Sequence, residues 1–167
     1  MALNYSNIYF IGIGGIGMSA LARYFNKKEI RVVGYDKTET PLTKQLYYEG
    51  IDIHYHDLGD DVNYVVGDKA STLIVITPAV PSDLKELKYL RDNGFTIKKR
   101  AEVLGSITAD FKTLAVAGTH GKTTTSTLLA HVLSSTAEKC NAFLGGISAN
   151  FNSNLLIEPT SPWMVVE

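Results

Sequence analysis

Short apolar runs alternate with helical patterns along the first hundred residues. "IYFIGI" (8–13) is rich in β-branched and aromatic residues and stops at glycines, which predicts a buried strand. Met18, Leu21, Ala22 and Phe25 then recur at helical spacing. "IRVVGY" (30–35) reads as a second strand, "PLTKQLYYEG" (41–50) as a helix closed by Gly50, and "IDIHY" (51–55) as a weaker strand. "STLIVIT" (71–77) has the unbroken apolar run of a strand covered on both faces. "PSDLKELKYLRDNG" (81–94) predicts a helix entered at Pro81 and Ser82, with acids in its first turn and Leu84, Leu87 and Leu90 inside. "FTIKKR" and "AEVLGSIT" give one more short strand and helix. Repeated βα units of this kind predict an α/β domain over residues 1–108, a parallel sheet with helices on both faces.

The pattern restarts at "FKTLAVAG" (111–118), a strand leading into a glycine-containing loop. "KTTTSTLLAHVLSS" follows as a helix expected to bury Leu128, Leu129, Val132 and Leu133, and "CNAFLGG" as a further strand. After a polar stretch, "WMVVE" (163–167) is strand-like. Residues 109–167 are therefore expected to be the incomplete start of a second domain, too short to close its own sheet and core.

The balance of the chain is ordinary. Hydrophobic residues make up 45% and charged residues 20%, and the net charge of −1 gives no reason to expect a nucleic-acid partner. Cys140 is the only cysteine, so no intramolecular disulfide can form, which suits a reducing, cytoplasmic setting. No apolar run approaches the length of a membrane span.

Two glycine loops carry the candidate chemistry. In "GIGGIG" (12–17), Gly12 suits a tight turn, Gly14 the approach of a pyrophosphate to the backbone, and Gly17 close packing of helix on strand. The N–H groups at the helix start then face phosphates, and Asp36 stands past the second strand where a ribose-binding acid belongs. The pattern fits NAD, FAD or another diphosphate equally. The second loop, "VAGTHGKTTT" (116–125), lacks the first glycine of the common phosphate loop, having Val116 in its place. Gly118 and Gly121 nevertheless permit an anion nest. Lys122 adds positive charge to a helix start that is already positive, which is favourable only with an anion between. Thr123 is suited to place its hydroxyl on Mg²⁺ held by the same phosphates. Glu167, at the carboxyl end of a buried strand, is expected either to serve that ion or to be simply a frayed chain end. His54 and His56 lie one strand period apart without a third ligand at metal spacing, so they read as a solvated strand edge rather than a metal site. His120 sits within the second loop, and Arg100 and Glu102, near the domain junction, suggest an ion pair.

"GIGGIGMS", "KRAEVL" and "AGTHGKTTT" in this order, with "GYD" (34–36) and "TPAV" (77–80), resemble the Mur ligases of bacterial peptidoglycan synthesis. The resemblance implies a Rossmann-like first domain that binds the UDP of a substrate rather than NAD, followed by the start of a P-loop ATPase domain. By motif, Gly14, Gly15, Ile16 and Gly17 would contact the diphosphate, with Asp36, Thr77 and Ala79 near the nucleotide. Gly118, Thr119, His120, Gly121, Lys122, Thr123 and Thr124 would bind ATP, with Lys122 and Glu167 as the catalytic groups and Thr123 and Glu167 on Mg²⁺. The implied reaction is ATP-dependent amide formation through an acyl phosphate, with UDP-N-acetylmuramic acid and L-alanine as substrates. A ligase recycling whole peptides onto the same sugar nucleotide and a nicotinamide-binding oxidoreductase are the competing readings. The resemblance also implies that further domains are needed for turnover, so the chain alone is expected to be inactive.

Overall fold

The computed structural model describes residues 5–167. The chain divides into two compact units, one ending at Val103 and one running from Leu104 to Glu167.

The first unit is a five-stranded, all-parallel sheet. Its strands are β1 (Asn7–Ile11), β2 (Arg31–Tyr35), β3 (Asp52–His54), β4 (Thr72–Ile76) and β5 (Thr96–Lys99), in the order β3-β2-β1-β4-β5. Alternation along β1 sends side chains to opposite faces. Tyr9 and Ile11 join Val33, Ile74, Leu87 and Leu90 in a buried cluster beneath helix α4 (Lys85–Asp92). Phe10 instead meets Phe25 of α1 (Ile16–Lys27), their ring centroids 6.4 Å apart. Helix α2 (Pro41–Tyr48) starts where Thr40 and Thr43 cap one another reciprocally, with proline at its first position. Two 3₁₀ turns and the short helix α3 (Asn63–Val66) fill the connection from β3 to β4, and the unit boundary falls within α5 (Arg100–Thr108).

The 81–94 pattern is only partly helical. The sequence places the start at Pro81–Ser82, but α4 begins at Lys85, and Leu84 offers no side-chain cap. Its first turn is satisfied from a distance: the Lys85 and Glu86 N–H groups donate to Asp57 Oδ2 and Oδ1, each at 3.0 Å.

The second unit holds β6 (Lys112–Ala115), α6 (Lys122–Ser134), β7 (Asn141–Ser148), β8 (Ser153–Leu156) and β9 (Trp163–Val166). The sheet order is β6-β9-β7-β8, with β8 antiparallel to β7 and the other pairs parallel. Strand β8 lies within the stretch that reads as polar in the sequence, and it buries Asn154 and Leu155. Helix α6 turns a different face inward from the one its leucines suggest. Ser126 and Ala130 are buried, Leu129 and Leu133 only partly so, and Leu128 and Val132 are 56% and 59% exposed. Small residues one turn apart let the helix lie close on β7, and the apolar content is spread too evenly around it to mark one side.

Candidate functional site

The first glycine loop stands at the carboxyl end of β1. Neighbouring connections leave in opposite directions there, since β2 lies on one side and β4 on the other. The loop is held by its own unit: Gly12 and Ile13 N–H donate to the Tyr35 carbonyl at 2.8 and 3.1 Å, and Gly15 N–H to the Gly12 carbonyl. Thr77 lies against Gly12, where an added Cβ would sit 3.1 Å from its methyl. Ala79 is exposed in the turn closed by Val80 N–H on the Thr77 carbonyl. Gly15 is exposed, Ile16 opens α1, and α1 has neither a side-chain cap nor an acid in its first turn.

Asp36 faces the loop itself. Its Oδ2 accepts from Gly14 N–H at 2.8 Å, and its Oδ1 from Thr38 N–H. A Cβ on Gly14 would fall 2.8 Å from Asp36 Oδ2 and 2.9 Å from the Thr43 methyl, so glycine there makes room for the acid. Gly17 makes room for a cation. A Cβ at that position would lie 2.9 Å from Arg100 Nη1 and 3.1 Å from its Cδ. Arg100 therefore rests on the first turn of α1 and does not pair with Glu102, whose Oε2 accepts from Lys99 N–H at 2.6 Å.

The second loop joins β6 to α6. Val116 N–H anchors it to the Val166 carbonyl at 2.8 Å, and Gly121 has φ 74°, a left-handed turn that strains other residues. From Ala117 through Thr124, an interval that contains Gly118, Thr119, His120 and Lys122, no backbone N–H finds an acceptor among the described residues. Such a run of open donors leading into a helix start is an anion cradle. Next to it, Thr123 Oγ1 donates to Glu167 Oε1 at 3.0 Å, while Ser126 Oγ and Gly145 N–H donate to Oε2 at 3.3 and 3.2 Å. The approach of β7 is tight enough that a Cβ on Gly145 would collide with the Glu167 carboxylate, and one on Gly146 would meet the Thr123 methyl at 3.2 Å. Ser126 and Gly145 lie outside the motifs that mark the loop in the sequence. The signals were present: Ser126 is one turn beyond Thr123, and glycine inside a strand marks close approach.

A buried polar cluster lies under the first sheet. Tyr9 hydroxyl sits 2.7 Å from His54 Nε2 and 3.1 Å from Glu86 Oε1, and Leu58 N–H donates to Glu86 Oε2. His54 Nδ1 lies 2.9 Å from the His56 carbonyl, so it carries a proton. The single Tyr9 hydroxyl hydrogen serves only one neighbour, so the cluster is satisfied when Glu86 or His54 Nε2 supplies another. Burial accordingly pushes Glu86 up to about 7, raises the Tyr9 and Tyr35 phenols, and lowers His54. Asp57 moves down: burial opposes its charge, but N–H bonds from Lys85, Gly59 and Glu86 outweigh that. His54 is thus a partner of the core rather than part of a solvated strand edge, and its ring is stacked on Tyr9.

The pattern of the Mur ligase family, catalytic domain, matches residues 7–112. A UDP-N-acetylmuramate–L-alanine ligase of Porphyromonas gingivalis is 57% identical over 160 residues, which covers 96% of this chain and 35% of that protein. One of Cytophaga hutchinsonii is 48% identical over 164 residues, with the same coverage of 96% and 35%. Among solved structures, the UDP-N-acetylmuramate-alanine ligase of Thermotoga maritima superposes with TM-score 0.84 at 32% identity, over 96% of this chain and 36% of that one. The UDP-N-acetylmuramate:L-alanyl-gamma-D-glutamyl-meso-diaminopimelate ligase of Neisseria meningitides gives TM-score 0.87 at 26% identity, over 98% and 52%. The chain spans about a third of the length of the curated relatives it matches. Among the described residues, no helix is long and apolar enough to cross a membrane.

Proposed function

The chain belongs to the Mur ligase family, and on that premise we propose that it carries the nucleotide-binding loops of an ATP-dependent ligase. That ligase joins L-alanine to the carboxylate of UDP-N-acetylmuramic acid in the cytoplasm. The observation that carries this reading is the second loop: open N–H groups from Ala117 to Thr124 beside a Thr123 hydroxyl that touches the Glu167 carboxylate at 3.0 Å. Sequence favours the alanine-adding reaction over the peptide-recycling one, because the relatives named for the former are 48–57% identical while the recycling neighbour is 26%.

In this reading Gly14–Gly17 receive the diphosphate of the sugar nucleotide, with Thr77, Ala79 and Asp36 around the nucleoside. Asp36 acts in part by fixing the loop through Gly14 N–H. The cradle and Lys122 receive the phosphates of ATP. The donor set at Thr123 and Glu167 fits Mg²⁺, since both offer hard oxygen atoms and Glu167 is held in place by Ser126 and Gly145 N–H. When bound, the ion would offset charge on the phosphates. The substrate carboxylate attacks the γ-phosphorus, the bond to the bridging oxygen breaks, and ADP leaves with that electron pair. The amine of L-alanine then attacks the acyl carbon, phosphate departs, and the amine proton passes to solvent. Lys122 stabilises the charge that builds on the transferred phosphoryl group.

Calorimetric titration of the chain with UDP-N-acetylmuramic acid, with NADH as a parallel control, tests the first loop. Saturable binding of the sugar nucleotide alone supports the proposal. Binding of NADH alone overturns it.

A further inference from the structure

Strands β1 and β3 and helix α4 meet at three polar side chains that the loop chemistry does not use. Tyr9 hydroxyl stands 2.7 Å from His54 Nε2 and 3.1 Å from Glu86 Oε1, with the Glu86 side chain fully buried and that of His54 19% exposed. The hydrogens in this cluster can be counted. His54 Nδ1 gives its hydrogen to the His56 carbonyl, so a neutral His54 offers Nε2 only as an acceptor. An ionised Glu86 is also only an acceptor, and one phenolic hydrogen cannot serve both. One added proton closes the set: a neutral Glu86 donates to the Tyr9 oxygen, and Tyr9 donates to His54. Without it, one buried contact sets lone pair against lone pair.

Few groups can carry that proton. Tyr9 of β1 and Tyr35 of β2 are raised by burial and stay neutral. Asp57, after β3, stays ionised: its burial is outweighed by N–H bonds from Lys85, Gly59 and Glu86, and the Lys85 charge adds to them. Burial lowers His54, which His56 and Asp57 also face, and burial pushes Glu86 up to about 7. The proton therefore resides on Glu86 and leaves near neutral pH.

His54 ends a strand with little else to hold it. Strand β3 has three residues and lies at the sheet edge, paired with β2 alone. The His54 ring rests against Tyr9 and Tyr35, with centroids 6.0 and 5.4 Å away. Its carbonyl accepts Asp36 N–H at 3.1 Å, which fixes the chain just beyond β2. From there the contacts run into the first glycine loop. Asp36 Oδ2 accepts from Gly14 N–H, and the Tyr35 carbonyl accepts from Gly12 and Ile13 N–H.

We propose that Tyr9, His54 and Glu86 form a one-proton latch on β3. Protonated, it fixes the His54 carbonyl and with it the Asp36 segment that shapes the first loop. Deprotonated, it lets that segment loosen and weakens ligand binding there. The ligand half of this inference rests on the reading of the first loop as a UDP-sugar site.

Calorimetric titration of the chain with UDP-N-acetylmuramic acid from pH 6.5 to pH 8.5 reads the latch, because the ligand's doubly esterified diphosphate and its carboxylate do not titrate there. Glu86→Gln keeps a donor for Tyr9 and an acceptor for Leu58 N–H at every pH, whereas Tyr9→Phe removes the link. Wild-type affinity should fall by at least about threefold across the range, since the bound form prefers the protonated cluster. Glu86→Gln should stay at the wild-type value of pH 6.5, and Tyr9→Phe should be weaker and flat. An unchanging wild-type affinity, or a parallel fall in Glu86→Gln or Tyr9→Phe, refutes the latch and leaves the sugar-nucleotide reading standing. Amide exchange at Asp36, compared between wild type and Glu86→Gln at each pH, reads the latch without ligand. If no form binds UDP-N-acetylmuramic acid, the ligand reading falls. Excess exchange at Asp36 above pH 7 in wild type alone then still supports the latch, and equal exchange in both proteins refutes it.

Discussion

Glu86 is the most informative single position for stability. Its side chain is fully buried, it contacts Tyr9, and its carboxyl is pushed from an ordinary 4.5 up to about 7. Between those values the folded state holds a proton that the unfolded state has released. Unfolding free energy therefore falls as pH rises, by up to about 1.4 kcal/mol per pH unit for one proton. Integrated from pH 5 to pH 8, the loss is roughly 2–3 kcal/mol, most of it below pH 7. Glu86→Gln keeps the shape and can accept from Leu58 N–H, but it does not titrate. The difference in stability between wild type and variant should thus shift by roughly 2–3 kcal/mol across that range, in the variant's favour at high pH. Asp57 stays ionised throughout the window, because its carboxyl is held low. His54 is lowered, so below about 6.5 it costs stability on acidification, a slope opposite in sign to that of Glu86 and largely common to both proteins. Tyr35, raised by burial, titrates above the window. Urea unfolding at a series of pH values reads this out. All nine tyrosines precede residue 104 and the only tryptophan is Trp163, so tyrosine emission follows the unit that contains Glu86. A wild-type-minus-variant difference that is flat between pH 5 and pH 8 would refute the argument.

Four further outcomes follow from geometry already described. Gly145→Ala should cost about 1–3 kcal/mol in the tryptophan-monitored transition and weaken Mg²⁺-dependent ATP binding, since the new methyl displaces the Glu167 carboxylate; unchanged ATP affinity would contradict this. Lys122→Ala should lower ATP affinity at least tenfold, about 1.4 kcal/mol, with both unfolding transitions in place. Arg23 is only 4% exposed and grips Glu49 with two 2.8 Å bonds, so Arg23→Ala should cost about 2 kcal/mol by tyrosine emission, less than a fully buried pair because Glu49 is partly in water. Asp57→Ala should cost about 1 kcal/mol at pH 7 as a lost cap. That cost should fade in strong acid, as the wild-type carboxylate protonates through its depressed pKa.

The parallel α/β pattern was legible because β1 and β4 are uninterrupted apolar runs, and the glycines after β1 break the strand where a helix begins. What escaped the sequence is side-chain reach across the fold. Glu86 reads as a first-turn acid, favourable to the helix dipole, yet it points inward to Tyr9 and His54. Leu128 and Val132 read as core, yet they face outward while Ser126 and Ala130 pack inside, because size complementarity with β7 decided the contact rather than hydrophobicity. At the first loop, the glycine spacing was visible, but the occupants of the space at Gly14 and Gly17, Asp36 and Arg100, lie 22 and 83 residues away in the chain. No local pattern encodes them.

The cap that Asp57 lends to α4 also has a kinetic meaning. Helix α4 is eight residues long, too short to persist alone, and its own N-terminal flank supplies no side-chain acceptor. Its first turn is completed only once the segment after β3 has been brought alongside, with the loop of 28 residues from Asp57 to Lys85 closed. Substitutions in the first turn of α4 should therefore leave the refolding rate almost untouched and speed unfolding instead, which would mark this helix as a late arrival in the assembly of the sheet.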